Sequence, residues 1–378
     1  MSIRNVLVTG GAGYIGSHFV DALVGREYRV TVLDNLEPQV HRSGTWPSYA
    51  NAKAEYVRGD VRDRAIVEPL VLAADAVAHL AAAVSVGQSM YQVDRYVDVN
   101  TRGTALLLDV LVNAKHHVQK VLVASSIGVY GEGAYRCPTD GVVAPAIRPE
   151  SQLAARDWEQ RCPACGEHVA SMPTPEEKPL YRDNIYSMTK YHQEEMVLLV
   201  GRTYGIPAVA PRFFNVYGPR QSLSNPYAGV AAIWLSRLLN GKQPVVFEDG
   251  GQLRDFVSIH DVVDCLVLML EQSGADFLPV NVGSGETVTI LDIARLLDRL
   301  LGTGIEPLVL QSGRKFDIRH NTADVGRARA TLGFRPTVSL ERGFTELIEW
   351  ARTTPDVAVD FFDKALGELS EKGLLVRS

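Results

Sequence analysis

Apolar residues follow two regimes along the first two hundred positions. Short runs at Asn5 to Thr9, Arg29 to Leu33, Ala54 to Gly59, Ala76 to Ala82 and Val121 to Ser126 have the length and β-branched content of buried strands. Between them, apolar positions recur at helical spacing, as from Val99 to Asn113. Strands and helices in turn predict an α/β chain, a doubly wound parallel sheet with helices on both faces. After Gly218 the pattern is more mixed and is broken by turns at Asn225-Pro226, Asp249-Gly-Gly251 and Gly302 to Pro307. We expect a large domain over residues 1–218 and a smaller mixed α/β, substrate-binding lobe over 219–352, with a segment near 254–272 returning to the large domain. A ligand would lie between the two. In the last stretch, 353–378, Val357, Phe361, Phe362, Leu366 and Leu369 predict a helical tail with one apolar face.

The turn after the first strand carries candidate chemistry. In Val8-Thr-Gly-Gly-Ala-Gly-Tyr-Ile-Gly-Ser17, Gly10, Gly13 and Gly16 fall where a side chain would obstruct the turn, a pyrophosphate, or the packing of helix on strand. The helix starting near Tyr14 then offers free amides and its positive end to phosphates. The second strand ends in Asp34, whose carboxylate can accept both adenosine ribose hydroxyls and would repel a 2′-phosphate. This Rossmann pattern favours NAD over NADP. Its competitor is a glycine-rich turn that binds nothing.

Composition narrows the class. The 378 residues are 46% hydrophobic with net charge −6, enough for a large core and unsuited to coating nucleic acid. The first strand begins after four residues, and no apolar run is long enough to span a bilayer. The expectation is a soluble cytoplasmic protein without membrane partners.

A second motif, Tyr186-Ser-Met-Thr-Lys190, suggests proton transfer. A tyrosine loses its proton near pH ~10, so one acting as a base near neutrality needs a positive charge close by. Lys190, one helical turn on, can supply it. Ser126, at the carboxyl end of a predicted strand, would face the ligand crevice and hydrogen-bond the same substrate hydroxyl; an ordinary capping serine is the alternative.

Together with Gly59-Asp60-Val61, His79-Leu-Ala-Ala82, Asn100, Arg212-Phe-Phe-Asn-Val-Tyr-Gly-Pro-Arg220, Arg254-Asp-Phe256 and Asn281-Val-Gly-Ser-Gly285, these motifs resemble the extended short-chain dehydrogenases/reductases, in particular nucleotide-sugar epimerases and dehydratases. The resemblance runs from about Ile3 to Trp350. It implies that NAD lies against Gly10, Gly13, Tyr14, Ile15, Gly16, Asp34, Asn35, Asp60, Val61, Leu80, Ala81, Ala82, Asn100, Tyr186, Lys190 and Phe213. It also implies that a nucleoside-diphosphate sugar meets Ser126, Asn215, Val230, Val246, Phe247, Arg254, Arg314 and Asp317. The two arginines suit a diphosphate, because guanidinium presents fixed donors to phosphate oxygens. Family members commonly dimerise through helices matching Val99 to Asn113 and Ile185 to Tyr204, so a homodimer is expected.

What is missing selects the reaction. Dehydratases of this family resemble Thr-Asp-Glu before Val-Tyr-Gly, and decarboxylases carry a glutamate directly before it. Here Ser126-Ile127-Gly128 precedes Val129-Tyr130-Gly131, which leaves elimination without an obvious acid and base. We expect 4-epimerisation of a nucleoside-diphosphate hexose through a transient 4-keto sugar, with Ser126, Tyr186 and Lys190 as the catalytic group. A 4-keto-sugar reductase and a non-catalytic NAD-sensing binding protein are the alternatives.

Between Tyr130 and Tyr186 lie fifty-five residues, about twice what the family often needs. This insertion, about 134–180, contains Cys137-Pro-Thr-Asp-Gly141 and Cys162-Pro-Ala-Cys-Gly166, which resemble paired zinc knuckles. Cys137, Cys162 and Cys165 would hold a structural zinc ion, with Asp140 or His168 as fourth ligand. Free thiols on tight turns, or a Cys162–Cys165 disulfide, are the alternatives. A similar Cys-rich insertion occurs in bacterial dTDP-L-rhamnose 4-epimerases. That resemblance implies a dTDP-6-deoxyhexose such as dTDP-L-rhamnose as substrate, or otherwise a UDP-hexose.

Overall fold

The protein is described by a computed structural model covering residues 3–227, 229–354 and 359–376. Seven parallel strands form its main sheet, in the order Pro279–Val282, Ala208–Phe213, Lys120–Val123, Ala76–His79, Asn5–Thr9, Arg29–Asp34 and Glu55–Arg58. Alternation within each strand distributes the core to both faces. Val6, Val8, Val30 and Val32 pack with Phe19 and Leu23 of the helix Tyr14–Gly25 and with Val262, Leu266 and Met269 of Ile259–Glu271. Leu7, Leu33, Val77 and Val121 face the other way, against Val67, Leu107, Leu111 and Val197. Strand order reverses between Asn5–Thr9 and Ala76–His79, and such a reversal opens a crevice at the strands' carboxyl ends.

The second body has its own core. Helices Val230–Leu239, Ile290–Leu301 and Leu340–Thr353 bury Trp234, Leu235, Ile293, Leu297, Phe344 and Leu347 together. Phe256–Ser258 pairs with Asn215–Tyr217, after which Ile259–Glu271 and Pro279–Val282 lie on the main sheet.

Several elements end earlier than their apolar runs predict, each for a visible polar reason. The strand expected to Ala82 stops at His79, after which Leu80 and Ala81 donate to Thr9, and Ala83 N–H donates to the Asn100 side chain. The strand expected to Ser126 breaks at Ala124, whose carbonyl accepts the Lys190 ammonium at 2.7 Å. Before the helix Gly103–Asn113 the chain forms a π-turn at Val97–Arg102. The side chain of Asn100, within that turn, spans the backbone of Ala83 and the hydroxyl of Thr189.

The insertion builds a three-stranded antiparallel sheet, with Ala134–Cys137 between Gly141–Val143 and Ala170–Met172. It is fastened to the second lobe by a buried ionic cluster. Arg148 donates to both oxygens of Glu248 at 3.0 and 2.8 Å, and Arg319 donates to Glu248 at 2.9 Å. The tail is shorter in helix than its apolar spacing predicts. Phe362–Glu371 is helical, and Leu375–Val376 pairs antiparallel with Gly313–Arg314. Leu369 and Val376 are buried, Phe361 is exposed, and Val357 lies outside the described residues. Val376 packs on Leu153 and Trp158 of the insertion. Among the described residues, no helix is long and apolar enough to cross a membrane.

Candidate active site

A cavity of about 420 Å³ occupies the crevice where strand order reverses. Gly10, Gly13, Tyr14, Ile15, Gly16, Asp34, Asn35, Asp60, Val61, Leu80, Ala81 and Ala82 line one part of it, and Ser126, Tyr186, Lys190, Phe213, Asn215 and Val230 line the rest. The glycines are there for steric reasons. Gly10 has φ +72°, and a Cβ on it would stand 2.7 Å from the Ala81 nitrogen; one on Gly16 would stand 2.2 Å from the Gly10 carbonyl oxygen. Gly13 caps the helix Tyr14–Gly25 with no side-chain acceptor, so the first amides are free for an anion.

Asp34 ends its strand with its carboxylate held by the Ala12 and Leu36 amides at 3.1 and 2.9 Å. Asp60 lies beside it through Asn35, whose amide donates to Asp60 at 3.1 Å. Arg62 holds the Asp60 carboxyl down to about 2, so Asp60 is ionised at neutral pH and paired with that guanidinium. These residues fit a dinucleotide: free helix amides for the pyrophosphate, a carboxylate for the ribose.

At the other end, Asn184 caps the helix Ile185–Tyr204 by accepting from the Ser187 amide at 2.9 Å. Within this helix Tyr186 and Lys190 are one turn apart, and both are buried. Burial raises the Tyr186 phenol above its ordinary value, and its hydrogen bond with Ser126 opposes that rise. Lys190 bonds to Ala124 O and to Gln193 Oε1 at 2.9 Å, and burial lowers its ammonium to about 7. A phenol, a hydroxyl and an easily deprotonated ammonium therefore share one wall, suited to moving a proton on and off a substrate oxygen.

His79 lies beneath this group, fully buried between the hydroxyls of Thr9 and Thr104 at 2.8 and 2.9 Å. Burial first, and then the Lys190 charge, push it down to about 3. An unfolded histidine binds its proton near pH ~6.5, so the unfolded chain takes up more protons between about 6.5 and 3, and stability is lost as the pH is lowered across that window. The slope approaches ~1.4 kcal/mol per pH unit. Urea unfolding between these limits is expected to show a shallower loss for His79→Gln than for the native chain; parallel slopes would refute the assignment.

The remaining expected ligands are distributed unevenly. Asn100 does not line the cavity but fixes Ala83, which does. Asn215 presents a buried side-chain oxygen without a partner among the described residues. Val246, Phe247, Arg254, Arg314 and Asp317 lie outside the cavity lining. Arg314 stacks on Phe247 with 4.8 Å from guanidinium to ring centre and bonds Asp317 at 2.7 Å. Arg254 donates to the carbonyls of Leu253, Ile318 and Arg319, and Val246 is fully buried. In the insertion, Cys137, Asp140, Cys162 and Cys165 converge, while His168 is exposed and stands apart in an isolated bridge with Arg161.

Some contributors carry no motif. Gln193 anchors Lys190 and also donates to Thr104, and its place three residues after the lysine was the available signal. Glu194 accepts Arg212 through two bonds and takes the Ser125 hydroxyl at 2.5 Å, stiffening the strand end that presents Ser126. Gln221, Ser222, Asn225 and Tyr227 line the second-lobe side of the cavity from an irregular loop without periodicity.

The model of the NAD-dependent epimerase/dehydratase family matches residues 6–155 and 164–283, and the chain belongs to that family. A dTDP-L-rhamnose 4-epimerase of Burkholderia thailandensis is 36% identical over 92% of this chain and 94% of its own length. A UDP-glucose 4-epimerase of Thermotoga maritima, solved with UDP-glucose, aligns with TM-score 0.75 and 32% identity over 92% of this chain and 99% of the other. A UDP-glucuronic acid 4-epimerase of Bacillus cereus, solved with its substrate and NAD, gives TM-score 0.75 and 26% identity, covering 92% and 99%. Dehydratases and decarboxylases also occur among the relatives.

Proposed function

We propose that the chain catalyses 4-epimerisation of a nucleoside-diphosphate hexose, with a dTDP-6-deoxyhexose such as dTDP-L-rhamnose as preferred substrate and a UDP-hexose as the competing one. The observation that carries this reading is the placement of carboxylates. Among the described residues, the acidic ones lining the cavity are Asp34, Glu37 and Asp60, which belong to the dinucleotide end, whereas Ser126 and Tyr186 are accompanied by Ala82, Ala83, Val84 and Ile127. Hydroxyl redox chemistry needs only the phenol and the serine there; elimination needs an acid and base that this wall lacks. Apolar neighbours also suit the methyl group of a 6-deoxy sugar. The choice of dTDP rests further on the likeness to the Burkholderia enzyme.

NAD, when bound, supplies a hydride acceptor and a positive charge that favours the phenolate. Tyr186 takes the 4-hydroxyl proton as carbon 4 becomes a ketone, and Ser126 donates a hydrogen bond to that oxygen. Side chains without donors, Ala82, Ala83 and Val84, leave the ketone free to turn over. Tyr186 then returns its proton as carbon 4 is reduced on the opposite face. The nucleotide is held from the second lobe through Asn215 and Val230 in the cavity wall, whereas Val246, Phe247, Arg254, Arg314 and Asp317 lie outside that lining in this structure. The protein is further proposed to be cytoplasmic and a homodimer joined through Val99–Asn113 and Ile185–Tyr204. On the latter helix Met188 and Leu199, about three turns apart, are exposed.

Purified protein given dTDP-L-rhamnose, UDP-glucose and UDP-glucuronic acid in turn, with no NAD added beyond what copurifies, is expected to yield the 4-epimer of the dTDP sugar over many turnovers. Turnover that stops after one equivalent would instead mark a 4-keto-sugar reductase.

A further inference from the structure

Both halves of the insertion's cysteine pattern fold into the same turn. Cys137-Pro-Thr-Asp-Gly141 and Cys162-Pro-Ala-Cys-Gly166 each close on a glycine in the left-handed region, φ +74° and +79°. In the second turn the Gly166 amide donates back to the Cys162 carbonyl at 2.9 Å. Facing each other, the turns bring three thiols and a carboxylate to within 4.8 Å of one another. Cys137 Sγ stands 3.5 Å from Cys165 Sγ, and an Asp140 oxygen stands 3.4 Å from Cys137 Sγ and 3.1 Å from Cys162 Sγ.

These spacings are those of ligands around one small ion. Tetrahedral zinc with bonds of about 2.3 Å to sulfur and 2.0 Å to oxygen separates two sulfurs by roughly 3.8 Å and a sulfur from an oxygen by roughly 3.5 Å. A disulfide would need sulfurs about 2.05 Å apart, and all four cysteines of the chain are free. Cys137 and Cys162 are buried with Tyr135 and Val169, whereas Asp140 and Cys165 are exposed, which leaves a path for the ion from solvent.

We propose that Cys137, Asp140, Cys162 and Cys165 bind one zinc ion that fastens the insertion in place. Three thiolates select a thiophilic metal, and the carboxylate suits zinc better than copper(I). Binding exchanges three thiol protons for Zn²⁺, with Asp140 already ionised, and gives a site of net charge −2. The ion has no role in the redox chemistry; it closes the chain between two segments that reach the second lobe. Five residues before Cys137, Glu132 accepts the Arg319 amide at 2.6 Å. Three residues before Cys162, Glu159 accepts the guanidinium of Arg319 at 2.6 Å and the ring of His320 at 2.9 Å. Zinc therefore fixes the frame that positions Arg319 and its lobe, not the dinucleotide.

Elemental analysis of full-length protein purified without chelator is expected to find one zinc per chain. Cys162→Ser and Cys165→Ser should fall below about 0.1, Asp140→Cys should retain the ion, and Cys265→Ala, at a core thiol remote from the cluster, should retain it too. Because a variant may lose its fold, NAD binding is measured on each, and native protein refilled with Co²⁺ is examined for the visible absorption of tetrahedral thiolate cobalt. NAD-competent native protein that holds iron or no metal and takes up neither Zn²⁺ nor Co²⁺ overturns the proposal, as does a Cys162–Cys165 disulfide. A chain that epimerises nothing but holds zinc leaves this inference standing and removes only the functional one.

Discussion

Exchanging Tyr186 for Phe is expected to lower turnover by roughly a hundred- to ten-thousand-fold, the usual contribution of a positioned acid–base group, while NAD binding stays within about twofold. The phenol oxygen is the atom this substitution removes, and the ring can keep its edge contact with Tyr96, 6.5 Å between centres. The proposed dinucleotide contacts, the glycine turn and Asp34, line the other end of the cavity. Steady-state rates for the 4-epimer, with a fluorescence titration of NAD on the same preparation, separate the two effects. Undiminished turnover would refute the role given to Tyr186. Loss of rate together with loss of NAD would point to a collapsed wall instead.

Glu248→Ala should destabilise the protein by roughly 3–5 kcal/mol, the cost of leaving buried cations without their partner. Glu248 is fully buried and accepts from both Arg148 and Arg319, whose side chains are 0% and 2% exposed. It also stands at φ +54°, a conformation alanine gains nothing by keeping. Asp249 and Glu159 still reach Arg319 from the rim, but Arg148 would retain only the carbonyls of Trp158 and Asp317 and a 3.9 Å approach to Glu132. Denaturant unfolding measures the loss. A change below about 1 kcal/mol would mean that the rim acids neutralise the cluster unaided.

The parts of the molecule legible in its sequence are those whose cause is local. The glycine turn can be read because its steric demands involve a few consecutive residues, and Asp34 because it ends the very next strand. The Tyr186 and Lys190 pair can be read because one helix carries both. The Ala124 break could not be read from an apolar run, since a carbonyl leaves the ladder there only because Lys190, distant in sequence, needs an acceptor. The π-turn escaped for the same reason: Asn100 answers to Ala83 and Thr189 rather than to its own helix. The Arg148–Glu248 pair joins residues a hundred positions apart, each of which alone reads as an ordinary surface charge. The three thiols of the proposed zinc site were visible as a pattern, but favouring Asp140 over His168 beside them required the turns to be folded together.

The tail also bears on how the cleft can move. Glu368, on the helix Phe362–Glu371, accepts the hydroxyl of Tyr91 at 2.8 Å from the large domain and that of Tyr227 from the opposite bank. One carboxylate thus clasps both sides of the mouth, and the two banks cannot swing apart with both hydrogen bonds intact. Each excursion wide enough to let a bulky guest leave must surrender a charge-assisted bond, typically about 1.5–3 kcal/mol. The carboxylate that joins the two banks therefore lies on a helix outside the cavity lining.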